Sequence, residues 1–304
     1  MKPEDRDRGV NPMYDHNETL DEAVARNVRD ALFEDIGRGD WTAQLVPAGR
    51  RVSARVVAKE AAVLCGRPWF DACLRALDPA AELAWPHAEG ESVARGAEVC
   101  HIRADARALL SAERPALNFL QTLSATATVA RQFVDAIAGA SPNPRGCVVL
   151  DTRKTLPGLR QAQKYAVRTG GARNHRLALW DGILIKENHI AAAGGIAQAL
   201  HAARALDAGV SVQIEVESVE ELQAALAAGA TSVLLDDFTL ADMRRAFALN
   251  AGRALLEVSG GVDLASIRAI AATGVDRISV GALTHSARSL DVGLDFSTRG
   301  EAAR

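Results

Sequence analysis

Hydrophobic and polar positions follow two different periods along the first part of the chain. Every second residue of Arg51–Ala58 is apolar, which predicts a half-buried strand. Apolar residues recur at near-helical spacing over 20–33, over 69–77 and, as a longer stripe, over 112–138, and predict three helices there. The first part of the chain is therefore expected to mix short strands with helices.

The pattern changes after the turn-forming stretch SPNPRG at 141–146. From there, short β-rich runs alternate with Ala-rich amphipathic helices, and the spacing of 20 to 36 residues between runs is typical of βα units with a parallel sheet. Six such units closing on themselves would form a TIM-like barrel with fewer strands, and an open doubly wound sheet is the alternative. The six runs are Cys147–Leu150, Ile183–Ile185, Val212–Val216, Ser232–Leu235, Leu255–Val258 and Arg277–Val280.

These patterns divide the chain into four parts. Residues 1–17 form a polar extension, and 18–140 form an N-terminal domain that includes the long helix. Residues 141–285 form the barrel domain, and 286–304 form a C-terminal segment that is expected to return to the N-terminal domain.

Composition narrows the class of protein. A chain of 304 residues with 48% hydrophobic and 24% charged residues matches an ordinary globular protein of two domains. A net charge of −3 excludes binding of nucleic acid by bulk charge, and no apolar run approaches the about 18 residues of a membrane helix. The first twenty residues lack the apolar stretch of a signal peptide, and the four cysteines show no CxxC spacing, so a cytoplasmic protein is expected.

Charge is concentrated in one segment. Residues 151–189 contain eight Lys or Arg and three Asp or Glu, a net +5, which leaves −8 for the rest of the chain. A basic segment in an acidic protein favours an anionic small-molecule substrate, although a solvated basic face is an equal alternative on charge alone.

Polar and glycine residues follow each of the six predicted strands. In a parallel barrel these positions meet at one rim, where ligands bind. The backbone N–H groups of the two glycine turns could hold a phosphate, the acids suit hydroxyl or Mg²⁺ contacts on a phosphosugar, and the cations suit carboxylates. Each taken singly is weak evidence, because an ordinary turn, a helix cap or a surface charge also accounts for it. The rim residues are Arg153, Lys154, Lys186, Glu217, Asp236, Ser259, Gly260, Gly261 and Gly281, joined by the nearby His175 and Arg176.

Several motifs together closely resemble the quinolinate phosphoribosyltransferase family. The resemblance runs from about residue 20 to residue 296, in the family's order and spacing. The motifs are ERPALNFLQ (113–121), DTRKTLPG (151–158), KYAVR (164–168), NHR (174–176), LIKENH (184–189), IEVE (214–217), LD (235–236), SGG (259–261) and VGALTH (280–285).

The resemblance implies an N-terminal open α/β sandwich, a C-terminal six-stranded α/β barrel, and dimers or larger assemblies with active sites at the subunit interface. It also implies that quinolinate and phosphoribosyl pyrophosphate, with Mg²⁺, give nicotinate mononucleotide, pyrophosphate and CO₂. The two carboxylates of quinolinate would be bound by Arg153, His175, Arg176, Lys186 and, from the partner subunit, a residue equivalent to Arg114. Phosphoribosyl pyrophosphate and its metal would be held by Lys154, Glu217, Asp236, Ser259, Gly260, Gly261 and Gly281, of which Lys154, Glu217 and Asp236 are the expected catalytic residues and the two acids the metal contacts.

Two positions depart from the family pattern: Asp237 stands where asparagine is common, and Ala172 interrupts a run of glycines. Neither removes a residue with an assigned role. The alternatives are a paralogue that takes another substrate and a non-catalytic barrel that binds ligand without turnover. A zinc hydrolase is disfavoured because the histidines lack close metal-ligand spacing.

Overall fold

The computed structural model describes residues 16–297, so most of the predicted N-terminal extension lies outside the described residues. The helices are α1 (Leu20–Ile36), α2 (Arg67–Leu77), α3 (Ala106–Ile137), α4 (Arg160–Thr169), α5 (Glu187–Ala193), α6 (Ile196–Ala205), α7 (Val219–Ala227), α8 (Leu240–Asn250), α9 (Ile267–Ala271) and α10 (Ala282–His285). The strands are β1 (Arg51–Ala58), β2 (Ala62–Val63), β3 (Glu82–Ala84), β4 (Ser92–Val93), β5 (Glu98–Asp105), β6 (Val148–Leu150), β7 (Gly182–Ile185), β8 (Ser211–Val216), β9 (Ser232–Asp236), β10 (Leu255–Ser259), β11 (Arg277–Ser279) and β12 (Val292–Ser297).

The chain forms two units, and each is assembled from separate stretches of sequence. The sandwich unit contains residues 20–132, 154–172 and the described part of the chain from 282 onward. The barrel unit contains residues 133–153 and 173–281, together with the few described residues before Leu20.

The sandwich unit is built on a four-stranded antiparallel sheet in the order β12–β1–β5–β3. Burial alternates along β1, as the sequence pattern predicts, because successive side chains of a strand point to opposite faces. The last described strand, β12, pairs antiparallel with β1 from Ser53↔Ser297 to Ala58↔Val292. Helices cover the buried face, and its largest fully buried side chains include Trp69, Phe70, Leu117 and Leu120.

Helix α3 begins six residues before the predicted start at Ala112, directly after β5. The carboxylate of Asp105 accepts hydrogen bonds from the N–H groups of Arg107 and Ala108 at 3.0 and 3.1 Å, so Asp105 ends the strand and caps the helix. The predicted helix was therefore too short at its N-terminus.

The barrel unit contains a six-stranded parallel sheet in the order β6–β11–β10–β9–β8–β7. Strands β7 to β11 are neighbours in chain order, and β6 pairs with β11, which leaves β6 and β7 unpaired with each other. This is a six-stranded barrel opened along one line, here called the seam. The observed strands agree with the six predicted runs to within one residue at each end, and the predicted fold class is confirmed.

Residues 173–176, here called the seam segment, run beside β6 where a closing strand would lie. The N–H of Arg173 donates to the carbonyl of Val149 at 2.9 Å, and the N–H of Asp151 donates to the carbonyl of Arg173 at 3.1 Å. At the other end of the segment, Nη1 of Arg176 donates to the carbonyl of Gly182, the first residue of β7, at 2.9 Å. The seam segment therefore links the two unpaired strands.

Among residues 16–297, none of the helices combines the length and the apolar character needed to cross a bilayer.

Candidate active site

Strand register aligns three predicted site residues at the carboxyl edge of the barrel sheet. Val216 of β8 lies opposite Leu235 of β9, so Glu217 and Asp236 follow at the same level on adjacent strands. Asp236 in turn lies opposite Ser259, the last residue of β10. Because neighbouring strands are about 4.8 Å apart, this edge brings two carboxylates and a hydroxyl together.

The glycine turn after β10 closes tightly against the turn after β9. Gly260 has φ +99° and Gly261 has φ +54°, and both values favour glycine. A Cβ atom at Gly260 would overlap the carboxylate of Asp237, which would have to move, and would lie 3.1 Å from the backbone nitrogen of Asp237. Asp237 itself has φ +52°, a conformation that asparagine and aspartate adopt more readily than most residues, and its N–H donates to the carbonyl of Ser259 at 3.2 Å. The family departure at this position therefore preserves the backbone shape of the turn.

Local capping fixes the loop after β8. The N–H of Glu217 donates to the carboxylate of Glu221 at 2.8 Å, and the hydroxyl of Ser218 accepts from the N–H of Glu221 at 3.2 Å. The side chain of Glu217 is exposed and available to a ligand. The remaining glycine, Gly281, is half-buried at the end of β11 and opens helix α10.

Lys186 directly follows β7 and lies at the level of Glu215 on β8. Its Nζ is 3.0 and 2.9 Å from the two carboxylate oxygens of Glu215, a residue that is almost fully buried. The ammonium is thereby held at the rim, while close to half of the side chain remains exposed.

The guanidinium groups of Arg153 and Arg176 lie close enough for the charge of one to lower the pKa of the other. Burial, and to a smaller extent the positive charge of Arg153, lower the pKa of Arg176 below its usual value. Like charges held together in a partly buried place favour binding of an anion, which relieves their repulsion.

His175 points from the seam segment into the barrel unit. Its backbone N–H donates to the buried carboxylate of Asp151 at 2.9 Å, and its Nε2 lies 3.0 Å from Oε1 of Gln213. Its Nδ1 accepts a hydrogen bond from the N–H of Arg176 at 2.7 Å. Both ring nitrogens are thus engaged by the protein, and the predicted contact of His175 with a carboxylate stays a prediction.

Two predicted site residues belong to the sandwich unit. Lys154 is exposed, and its carbonyl accepts a hydrogen bond from Oγ1 of Thr284 at 2.7 Å. Arg114 is exposed on α3, with its guanidinium 3.9 Å from the carboxylate of Glu113. The other predicted site residues all lie in the barrel unit.

The site also contains buried polar residues that the sequence interpretation did not assign. Gln213 and Glu215 alternate with apolar residues along β8, and this alternation was a readable signal of a polar face. Glu257 lies between Leu256 and Val258, and Ser279 lies between Ile278 and Val280, so the sequence alone does not reveal a polar partner for either.

The carboxylates at the rim suit a Mg²⁺ ion that is bound mainly through the phosphate groups of a substrate. Among the residues that the structure describes, no three His, Cys, Asp or Glu side chains are grouped so that they could hold a metal ion. Mg²⁺ commonly binds through one or two carboxylates, with phosphate oxygens and water completing its shell, and the exposed Glu217 and half-buried Asp236 fit that requirement.

The barrel rim, with its cations, carboxylates and paired glycine turns, is that of an α/β-barrel protein whose rim suits a polyanionic small molecule. Family models described as quinolinate phosphoribosyl transferase, N-terminal and C-terminal domains, match residues 40–124 and 126–295. The chain belongs to this family, as the sequence motifs predicted.

Relatives match over nearly their full length. The nicotinate-nucleotide pyrophosphorylase [carboxylating] of Mycobacterium leprae is 42% identical over 285 residues, which cover 90% of this chain and 98% of the relative. A probable enzyme of the same name from Bacillus subtilis is 38% identical, covering 89% and 92%. The solved structure of the nicotinate-nucleotide pyrophosphorylase from Francisella tularensis superposes with a TM-score of 0.86 at 42% identity, covering 92% of this chain and 98% of that one.

Proposed function

We propose that this protein converts quinolinate and phosphoribosyl pyrophosphate into nicotinate mononucleotide, pyrophosphate and CO₂, a reaction of NAD biosynthesis. The observation that carries the proposal is the set of charged side chains at the barrel rim of this chain, which belongs to the family. Lys186 and the guanidinium groups of Arg153 and Arg176 lie at the same rim as the aligned Glu217 and Asp236. The names of relatives that match over most of their length support the same reaction.

Quinolinate carries two carboxylates, and we assign them to Arg153, Arg176 and Lys186, with Arg114 supplied by the partner subunit. Guanidinium groups bind carboxylates through two parallel hydrogen bonds, whereas the lysine acts as a point charge. His175 belongs to the same subsite: its predicted contact with a quinolinate carboxylate is kept in the assignment, and its Nδ1 also accepts the N–H of Arg176.

Phosphoribosyl pyrophosphate is assigned to the acids, the glycine turns and Lys154. Glu217 and Asp236 would contact the ribose hydroxyls and Mg²⁺, and the turns Ser259–Gly261 and Gly281 would offer backbone N–H groups to phosphate oxygens. Mg²⁺, when bound, neutralises charge on the pyrophosphate. Lys154 contributes a further positive charge to the phosphates.

The chemistry requires positioning and charge more than a protein nucleophile. The pyridine nitrogen attacks the anomeric carbon while the bond to the pyrophosphate oxygen breaks, and pyrophosphate leaves with that electron pair. The ring nitrogen is then cationic and draws the electron pair of the neighbouring carbon–carboxylate bond onto the ring. CO₂ leaves, and a proton from solvent takes its place. The cationic subsite holds the second carboxylate through both steps.

A homodimer with shared active sites follows from the assignment of Arg114. Trp41 and Leu45 of the sandwich unit expose 85% and 84% of their surface, and exposed apolar side chains of this size are typical of surfaces that another chain covers.

The four cysteines are free thiols, in keeping with a cytoplasmic location.

Kinetics with two acceptors test the assignment of the carboxylates. Wild-type protein should use quinolinate with phosphoribosyl pyrophosphate and should use nicotinate, which has one carboxylate, far less well. Arg153→Ala should raise the KM for quinolinate by about 10- to 100-fold, the effect of one lost charge-assisted contact. The matched control is Arg244→Ala, which removes an exposed arginine of α8 that donates to the Leu240 carbonyl. This variant should leave the KM values for quinolinate and for nicotinate unchanged. Wild-type kinetics in Arg153→Ala would remove this residue from the site.

Mixing two inactive variants tests the shared site. Arg114→Ala and Lys186→Ala should each be defective alone. Random exchange of subunits makes half the dimers mixed, each with one intact site, so about a quarter of wild-type activity should return. No recovery in mixtures that are shown to exchange subunits would mean that each site is built from one chain.

A further inference from the structure

A buried carboxylate in the barrel unit has no role in the reaction as assigned. Glu257 of β10 is fully buried and accepts a hydrogen bond from Nε2 of Gln213 at 3.0 Å. The hydroxyl of Ser279 also donates to Glu257, and Nε2 of His175 lies 3.4 Å from its Oε1. One buried acceptor therefore joins side chains from β8, β11 and the seam segment.

The chemistry of these groups gives the hydrogen bonds a single direction. A carboxylate only accepts, so the amide NH₂ of Gln213 must face Glu257 and the amide oxygen must face His175. Oε1 of Gln213 is 3.0 Å from Nε2 of His175, so this nitrogen carries the proton. Nδ1 is then unprotonated and can accept from the N–H of Arg176, as the distance of 2.7 Å requires.

The seam segment is not part of a regular strand and is held by separate hydrogen bonds, among them those of the Asn174 side chain and the His175 N–H to the carboxylate of Asp151. Its start is bonded to β6 through Arg173, and its end is bonded to β7 through the guanidinium of Arg176. Between them, the ring of His175 is the side chain that ties the backbone of Arg176 to the interior of the barrel unit. A ring with the proton on Nδ1 would present a donor to the N–H of Arg176 and break that contact.

We propose that Glu257 is a positioning residue: acting through Gln213 and His175, it selects the histidine tautomer that holds the backbone of Arg176. Arg176 is the residue to which the proposed function assigns a substrate carboxylate, and the proposal rests on that function only for its effect on quinolinate. The orientation of His175 itself is independent of the reaction.

Nitrogen NMR of the histidine rings tests the tautomer without any assay of activity. Wild-type protein labelled with ring-¹⁵N histidine should show His175 protonated at Nε2 and unprotonated at Nδ1, with the signals assigned by their loss in His175→Asn. In Glu257→Gln the new amide both donates and accepts, so the Gln213 amide is no longer held in one orientation. The Nδ1 signal of His175 should move toward the protonated form. A wild-type ring protonated at Nδ1, or ring signals unchanged in Glu257→Gln, would overturn the proposal.

Kinetics separate positioning from a general loss of structure. Glu257→Gln should raise the KM for quinolinate by about tenfold, the effect of one misplaced hydrogen-bonding group, while the KM for phosphoribosyl pyrophosphate changes by less than about twofold. An equal rise in both KM values would contradict the proposal. If wild-type protein makes no product, the proposed function fails, and the ring signals still decide the role of Glu257.

A second pair of variants keeps the test valid if Glu257→Gln does not fold. Asparagine at position 175 retains an acceptor near the place of Nδ1, whereas alanine does not. His175→Asn should therefore keep a lower KM for quinolinate than His175→Ala. Equal KM values in the two variants would show that His175 does not act by accepting the Arg176 N–H.

Discussion

Lys186 is expected to have two separable roles, in binding substrate and in neutralising Glu215. Lys186→Ala removes both hydrogen bonds to a carboxylate whose side chain is only 7% exposed, and leaves that charge without its partner. Hydrogen bonds to charged groups contribute about 1.5–3 kcal/mol, and the 46% exposure of Lys186 reduces this to about 1–2 kcal/mol. For a chain of this size, that loss lowers Tm by about 2–3 °C.

Adding Glu215→Gln should undo only the structural part of the defect. The neutral amide has the same shape and no longer needs a cation, so the double variant should regain most of the lost Tm. The KM for quinolinate should stay about 10- to 100-fold above wild type, because the substrate carboxylate still lacks its ammonium partner.

The assay combines thermal unfolding with steady-state kinetics for wild type, Lys186→Ala, Glu215→Gln and the double variant. Lys59→Ala is the control, since it breaks an exposed pair with Asp291 at 3.9 Å and should change neither quantity. Recovery of the quinolinate KM in the double variant would refute the reasoning. It would mean that Lys186 serves only to neutralise Glu215.

Three further predictions concern the glycine turn, the cysteines and acid stability. Gly260→Ala should raise the KM for phosphoribosyl pyrophosphate by more than about tenfold, because its Cβ meets the side chain and backbone of Asp237. Gly252→Ala also has a positive φ but open space, so it should cost about 1 kcal/mol of stability and leave that KM unchanged; an equal rise of this KM in both variants would contradict a steric cause. Burial raises the pKa of Cys147 to about 12. Iodoacetamide at pH 8 should therefore modify Cys147 at least about tenfold more slowly in the native protein than in the unfolded protein. Equal rates in the two states would show that burial does not protect this thiol. The hydrogen bond from the Asp105 N–H lowers the pKa of Asp78. The ionised Asp78 therefore stabilises the fold above the ordinary aspartate pKa, and this stabilisation is lost as pH falls through the lowered value. Asp78→Asn should make the free energy of unfolding depend less on pH below about pH 5, and an unchanged pH dependence would contradict this.

Local sequence pattern was sufficient to predict the six barrel strands. Each is a short run rich in Val, Ile or Leu and followed by polar or glycine residues, and that signal requires no knowledge of the partner strand. The early start of α3 was missed because Asp105 is the last residue of β5 and also accepts hydrogen bonds from the first turn of the helix. Its role as a cap depends on the chain turning at that residue.

Sequence motifs identified the family and named the rim residues, but the support beneath the rim depends on the folded structure. Glu257 stands in the run LLEVS, which predicts a buried strand and gives no indication of which donors surround the carboxylate. The donors are Gln213 and Ser279, and the ring of His175 is bonded to Gln213 beside them; the three residues are distant in the chain and meet only in the folded sheet. The seam segment likewise has no regular period, because it is held by individual hydrogen bonds.

The stoichiometry of the products tests the central claim most directly. Purified protein would be incubated with quinolinate labelled in the carboxylate next to the ring nitrogen, phosphoribosyl pyrophosphate and Mg²⁺. We expect labelled CO₂, nicotinate mononucleotide and pyrophosphate in equal amounts, and none of them when either substrate or Mg²⁺ is omitted. Folded protein that binds phosphoribosyl pyrophosphate but releases no CO₂ from quinolinate would contradict the proposed function.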